Sequence, residues 1–196
     1  MIFTYAAVIA FTLTTATTQA QKIKLTEGDL AALKGQTVVN IEFTYDNMMV
    51  GKKKEADYIA EKTAEYNKKE AGKGDAWEVH WVDDRESRFE PKFIELFEKY
   101  SNMDVRSQKD AKYTLIVHTI FTEPGFNVGV MRKNAEIDVE VLVVDATDKS
   151  KVLAKIAADN IPGRNFSGYD FDTGLRIMES YEMGGKSIAK FILDKI

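Results

Sequence analysis

Tyr113-Thr114-Leu115-Ile116-Val117-His118-Thr119-Ile120-Phe121, then Ala135-Glu136-Ile137-Asp138-Val139-Glu140-Val141-Leu142-Val143-Val144, then Val152-Leu153-Ala154-Lys155-Ile156-Ala157-Ala158 decide the fold. Each run alternates or is rich in β-branched residues. Each ends at turn formers: Glu123-Pro124-Gly125, Asp145-Ala146-Thr147-Asp148 and Pro162-Gly163. Residues 112–161 therefore read as a β-meander, the antiparallel core of a mixed sheet on which the rest of the chain packs.

Working outward, Thr37-Val38-Val39-Asn40-Ile41-Glu42-Phe43-Thr44-Tyr45 is a strand with Val39, Ile41, Phe43 and Tyr45 on one face and Asn40, Glu42 and Thr44 on a wetter one. A short helical turn, Leu30-Ala31-Ala32-Leu33, ending at Gly35, precedes it. Residues 54–70 have helical period, with Ala56, Ile59, Ala60 and Thr63 as the stripe to be buried. Ala76-Trp77-Glu78-Val79-His80-Trp81-Val82 alternates and is read as a second strand, parallel to the first through the helix between them. A helix starting at Pro91, with Phe89 packed on Ile94 at its entry, buries Phe93, Leu96, Phe97 and Tyr100. The last helix starts near Asp172-Thr173 and carries Leu175, Met178, Tyr181, Ile188 and Ile192 at helical spacing. Gly184-Gly185 within it implies a kink or a close backbone approach. The expected fold class is α/β (α+β): a two-layer sandwich, a mixed sheet of about five strands with helices on one face, in the order β-α-β-α-β-β-β-α.

The first 20 residues hold no charge, and the apolar part, residues 2–13, is too short to span a membrane, which takes about 20 apolar residues. Thr18 and Ala20 have the spacing a signal peptidase prefers. Residues 1–20 are expected to be a signal peptide and 21–196 one domain, periplasmic or secreted, without stable membrane insertion. A net charge of −4 with no basic tail argues against nucleic acid as a partner. The absence of cysteine excludes disulfides, thiolate zinc sites and a lipidated cysteine anchor. Asn165-Phe166-Ser167 matches the glycosylation tripeptide, which matters only in a eukaryotic secretory route.

The chemistry-bearing residues are few. Ser180 to Ser187 ends in Gly-Lys-Ser but lacks the first glycine of a phosphate loop and sits in a helical pattern, so no nucleotide or other cofactor is expected. His80 lies close in sequence to Asp83, Asp84 and Glu86, and His118 faces Glu136, Asp138 and Glu140 across a hairpin. A small hydrolase or metal-dependent enzyme would have to be built from these. A cross-strand ion pair at His118 is the simpler account, and no catalytic or metal-ligating residue is assigned. The loop after the first meander strand is apolar where loops are usually polar. Its residues Phe126, Val128, Val130 and Met131 are the candidate partner-binding residues, against the alternatives that the loop covers the core or that the strands run on.

The run Ala111-Lys112-Tyr113-Thr114-Leu115-Ile116-Val117, the strand ending Val144-Asp145-Ala146-Thr147, and the helix Gly185-Lys186-Ser187-Ile188-Ala189-Lys190-Phe191-Ile192 together resemble uncharacterised exported proteins of Bacteroides-type bacteria. More remotely they resemble the periplasmic α/β domains of envelope lipoproteins such as the curli secretion-channel family. The resemblance implies a non-enzymatic binding or assembly module of the cell envelope. Its partner would be a protein or envelope component, and a homo-oligomer is admitted. The missing lipobox cysteine departs from those lipoproteins.

Overall fold

The computed structural model describes residues 20–106, 110–128, 131–163 and 172–196. The expected signal peptide, apart from Ala20, lies outside these residues, as do Val130 and Asn165-Phe166-Ser167. In chain order the elements are β1 (Lys22–Gly28), a 3-10 turn (Ala31–Leu33), β2 (Val38–Thr44), β3 (Met49–Val50), β4 (Lys53–Lys54), α1 (Glu55–Lys69), α2 (Lys73–Asp84), a π turn (Arg85–Phe89), α3 (Glu90–Ser101), β5 (Asp104–Val105), β6 (Tyr113–Glu123), β7 (Phe126–Val128), β8 (Met131–Lys133), β9 (Glu136–Asp145), β10 (Val152–Pro162) and α4 (Thr173–Leu193).

The sheet runs β1-β10-β9-β6-β2-β5, with β3 on the far half of β6 and β4 on β3. Its five long strands are β1, β10, β9, β6 and β2. The meander pairs antiparallel, as its turns require, with Leu115 opposite Val143 and Ala158 opposite Val139. β2 runs parallel to β6, with Ile41 opposite Leu115, because α1, α2 and α3 carry the chain back across the sheet. One sheet face supplies Val39, Ile41, Leu115, Val117, Ile137, Val139, Val141, Val143 and Ile156 to the core. Phe93 and Phe97 of α3 and Ile177, Tyr181, Ile188 and Ile192 of α4 close over it. On the other face Ile116, His118, Glu140, Leu142, Lys155 and Ala157 are only half-buried, so that face is partly open, as the alternation implies.

Two expectations fail. Residues 76–82 are helical, within α2, and the parallel partner of β2 is β6. Trp77 and Trp81 are one helical turn apart as well as even-spaced, so a seven-residue window fits both periods. Val79, the residue that would separate them, is 57 % exposed and thus on the side away from the tryptophans. Nothing between Asp75 and Pro91 breaks a helix, and Gly72 supplies the left-handed residue (φ 81°) from which α2 starts. Second, Lys22–Gly28 forms an edge strand on β10, which the short, charged sequence concealed.

Pro91 does not begin a free helix. The chain enters α3 from α2 through the π turn, in which the Glu90 N–H reaches back to the Arg85 carbonyl. Pro91 has no N–H and its ring crowds the preceding turn; a widened turn just before it relieves both problems. Phe89 stacks on Tyr181, ring centroids 5.0 Å apart.

Gly184 and Gly185 do not interrupt α4. A Cβ on Gly185 would sit 2.1 Å from the Phe93 carbonyl oxygen, so the pair brings two helix backbones together and no kink is needed.

Candidate contact surface

β6 and β9 do not join through a loop that folds back on the core. They continue beyond the sheet as a two-stranded ribbon, β7 and β8, with Phe126 opposite Lys133 and Val128 opposite Met131. Residues two apart in a strand share a face. Phe126, Val128 and Met131 therefore lie together on one side, with Lys133 beside Phe126, and Asn127 and Arg132 lie on the other. Phe126 is 42 % exposed, and Val128 and Met131 62 % each. Of the four residues singled out from sequence, the structure brings these three to one face.

The root of this ribbon is tightly built. Gly125 takes φ 64°, and a Cβ there would lie 2.5 Å from the Lys133 carbonyl oxygen, so the strands can cross at their base only with glycine. Glu123 accepts the Gly125 N–H at 3.1 Å and holds Lys133 at 2.6 Å. From the first turn of α4, the buried Arg176 donates to the Pro124 carbonyl at 3.1 Å and to Thr173 Oγ1 at 2.9 Å. A charged donor to a buried carbonyl is among the stronger hydrogen bonds, so the strand ends are fixed.

Other turns leave the sheet at the same end. β3 runs parallel to β6 with Val50 opposite Thr122, and the Gly51 N–H bonds the Thr122 carbonyl. The turn that follows carries the exposed Lys52, Lys53 and Lys54 and leads directly into α1. Tyr58 of α1 feels the charges of Glu123 and Arg176; burial, then Tyr66 and Glu123, push its phenol up to about 12.

The histidines are elsewhere. His118 is opposite Glu140, as the hairpin predicts, but its Nε2 donates to the Asp46 carbonyl at 2.8 Å and Glu140 pairs with Lys155 at 3.1 Å. The expected cross-strand ion pair thus goes to lysine. His80 is exposed on α2. Asp84, one turn on, is held by Arg88 at 3.1 Å, and Arg88 bridges to Asp172 at 2.9 Å. Asp172 caps α4 through the Gly174 and Leu175 N–H groups. Burial raises the Asp84 carboxyl above its ordinary value. This cluster is absorbed in joining the π turn to α4: a Cβ on Gly174 would meet Asp84 Oδ2 at 2.0 Å. Among the described residues no group of three or more histidines and carboxylates has the geometry to hold a metal ion.

Sequence reasoning missed a polar chain beneath the helices. Tyr45 donates to Glu90 at 3.1 Å, and the Arg85 guanidinium lies 4.2 Å over the Tyr45 ring. Glu55 accepts from Arg85 and, at 2.7 Å, from Trp81 Nε1. Tyr181 and Thr119 share a hydrogen bond of 2.7 Å. Burial drives the Tyr45 and Tyr181 phenols far above their ordinary values, and burial also raises Glu90. Every group named has a partner within the chain, so the arrangement ties α1, α2 and α3 to the sheet. One hint of it was legible: Tyr45 falls on the inward face of its strand.

No family model matches the sequence, and no curated protein matches it. Among solved structures, the chain is similar to the PelC dodecamer from Paraburkholderia phytofirmans, at 12 % identity with a TM-score of 0.42, over 88 % of this chain and 97 % of that one. A point variant of the same protein gives 0.41 at the same identity and coverage. At this distance the likeness is one of chain outline, and the function has to be argued from the residues themselves.

Proposed function

We propose that the chain is a non-enzymatic binding module of the cell envelope, periplasmic or secreted, and that the β7–β8 ribbon is its contact surface. One observation carries the reading: Phe126, Val128 and Met131 share one exposed face of a ribbon whose base is fixed by Gly125, Glu123 and Arg176. Full burial of a side chain of this size contributes roughly 1.5–3 kcal/mol. Leaving three of them in water on a braced support forgoes that contribution and keeps them available for contact. The uncharged, leader-like segment at residues 2–20 supports export. The partner is a protein or another envelope component, a second copy of the chain included.

The test is capture from the envelope fraction together with sedimentation equilibrium, comparing the native sequence with Phe126→Ser/Val128→Ser. Loss of capture or of self-association at unchanged thermal stability supports the reading. Unchanged capture and association would sink it.

A further inference from the structure

The charge around the ribbon narrows what it contacts. Two turns leave the sheet side by side at the end of β6: residues 51–54, with Lys52, Lys53 and Lys54, and the ribbon, with Arg132 and Lys133. Neither turn contains a carboxylate, although the chain as a whole has a net charge of −4. Glu61 pairs with Lys53 and Glu123 with Lys133, while Lys52 and Lys54 are exposed.

Size separates the candidate occupants. A specific protein interface buries about 800 Å² on each partner. A ribbon with three residues in each strand is only about 10 Å long, at about 3.3 Å per residue, and offers one narrow apolar face. That length matches the roughly 5–10 Å to which an apolar element sinks into the boundary between lipid headgroups and acyl chains. Cations just behind such a tip attract anionic headgroups, each contributing near the surface.

We propose that this end of the molecule docks peripherally on an anionic lipid surface, with Phe126, Val128 and Met131 entering the headgroup boundary and Lys52 and Lys54 against the lipid phosphates. The proposal rests on the reading of the ribbon as a contact surface and names its partner. No span is involved: among the described residues no helix is long and apolar enough to cross a membrane.

The experiment is vesicle co-sedimentation of the full exported chain, with phosphatidylcholine alone and with phosphatidylcholine mixed with phosphatidylglycerol. The native protein is expected on the anionic vesicles, weakly or not at all on the neutral ones, and to be released by salt. Val128→Ser/Met131→Ser lowers the partition about tenfold. Lys52→Glu/Lys54→Glu does the same while leaving the apolar tip intact. Circular dichroism melts of both variants confirm folding. No binding to anionic vesicles, or binding that neither variant weakens, overturns the lipid proposal. If in that case Val128→Ser/Met131→Ser abolishes self-association or protein capture, the contact surface stands with a protein partner. If it alters none of these, both readings fall.

Discussion

The two helix pairs of this chain differ in how much of each is buried on the sheet and how much is held by side chains. α3 and α4 meet backbone to backbone: Gly185 lies against the Phe93 carbonyl, and both helices bury their apolar sides on the sheet. α1 and α2 also come close at one point, Gly74 against the Thr63 carbonyl, and otherwise meet through aromatic rings, Tyr58 to Trp81 at 5.2 Å, Tyr58 to Trp77 at 6.0 Å and Tyr66 to Trp77 at 5.7 Å. α1 has no fully buried residue, and Ala56, Ala60 and Ala64 line a shallow groove of about 560 Å³ beside it. The first pair belongs to the core. The second is a hairpin held by aromatic side chains and by Gly74 against α1, and tied to the body through Glu55, Arg85 and Trp81.

The largest effect expected from this contrast is at Gly185. Gly185→Ala places a methyl group against the backbone of Phe93, which rotamer changes cannot move, and we expect about 3 kcal/mol of destabilisation in urea unfolding. A cost below about 1 kcal/mol would show that the helices can slide apart, and that the close approach is not what fixes them. Next comes Trp81→Ala, which removes the ring that both Tyr58 and Trp77 lean on and leaves Glu55 with one donor fewer. Its cost is expected at about 2 kcal/mol, less than the 3–5 kcal/mol typical of a core tryptophan, because the hairpin opens locally instead of carrying the whole fold with it. Amide hydrogen exchange should show faster exchange confined to α1 and α2. Uniform acceleration through β6 and β9 would contradict the idea of a separable hairpin.

The seam between the pairs is testable by pH. Burial holds the Glu90 carboxyl above its ordinary value of 4.5, even though the Tyr45 hydroxyl donates to it. The folded state then binds this proton more tightly than the unfolded chain, so its contribution falls as pH rises from 4.5 through the folded value. Glu90→Gln keeps an acceptor for Tyr45 and should flatten that decline. Asp172 has the opposite sign. Burial alone would raise it, but Arg88 and the two capping amides outweigh burial and hold it below 3.8. Its contribution is present above 3.8 and is lost as pH falls through the lower folded value, so Asp172→Asn should remove part of the acid sensitivity. Denaturation midpoints at several pH values check both, and equal pH profiles for the two variants would contradict the assigned directions.

The meander was legible because its buried strands alternate for ten residues or so and end at strong turn formers, and Val139, Val141 and Val143 do lie inward. α2 was not, because its large inward residues are only the half-buried Trp77 and the buried Trp81, too few to distinguish a period of two from one of 3.6. The stripe of Ala56, Ile59, Ala60 and Thr63 was correctly placed on one helix face, but the helix does not lay that face on the sheet. The reason is tertiary: α2 is a helix and takes the position beside α1 that a second strand would otherwise have occupied. At the candidate site, apolar residues in a loop were the legible signal. What could not be read was the register that puts Phe126, Val128 and Met131 on one side, since this depends on the crossing at Gly125 and on Arg176, fifty residues away.

The smallest expected effect on stability belongs to the ribbon, and it bears most directly on function. Phe126→Ser/Val128→Ser replaces side chains that already face water, so unfolding should shift by less than about 0.5 kcal/mol. Val79→Ser/Val82→Ser on α2 is the matched control, since those valines are also exposed, 57 % and 45 %, but lie on the hairpin instead of the braced ribbon. Both doubles should therefore be equally silent in a melt. They should differ in binding: only the ribbon variant is expected to weaken vesicle partition, association or capture, because only the ribbon has its apolar face held by Glu123, Gly125 and Arg176. If the α2 variant weakens binding and the ribbon variant does not, the working surface is the helical hairpin with its groove along Ala56, Ala60 and Ala64. The braced root at Gly125 would then serve only to close the end of the sheet.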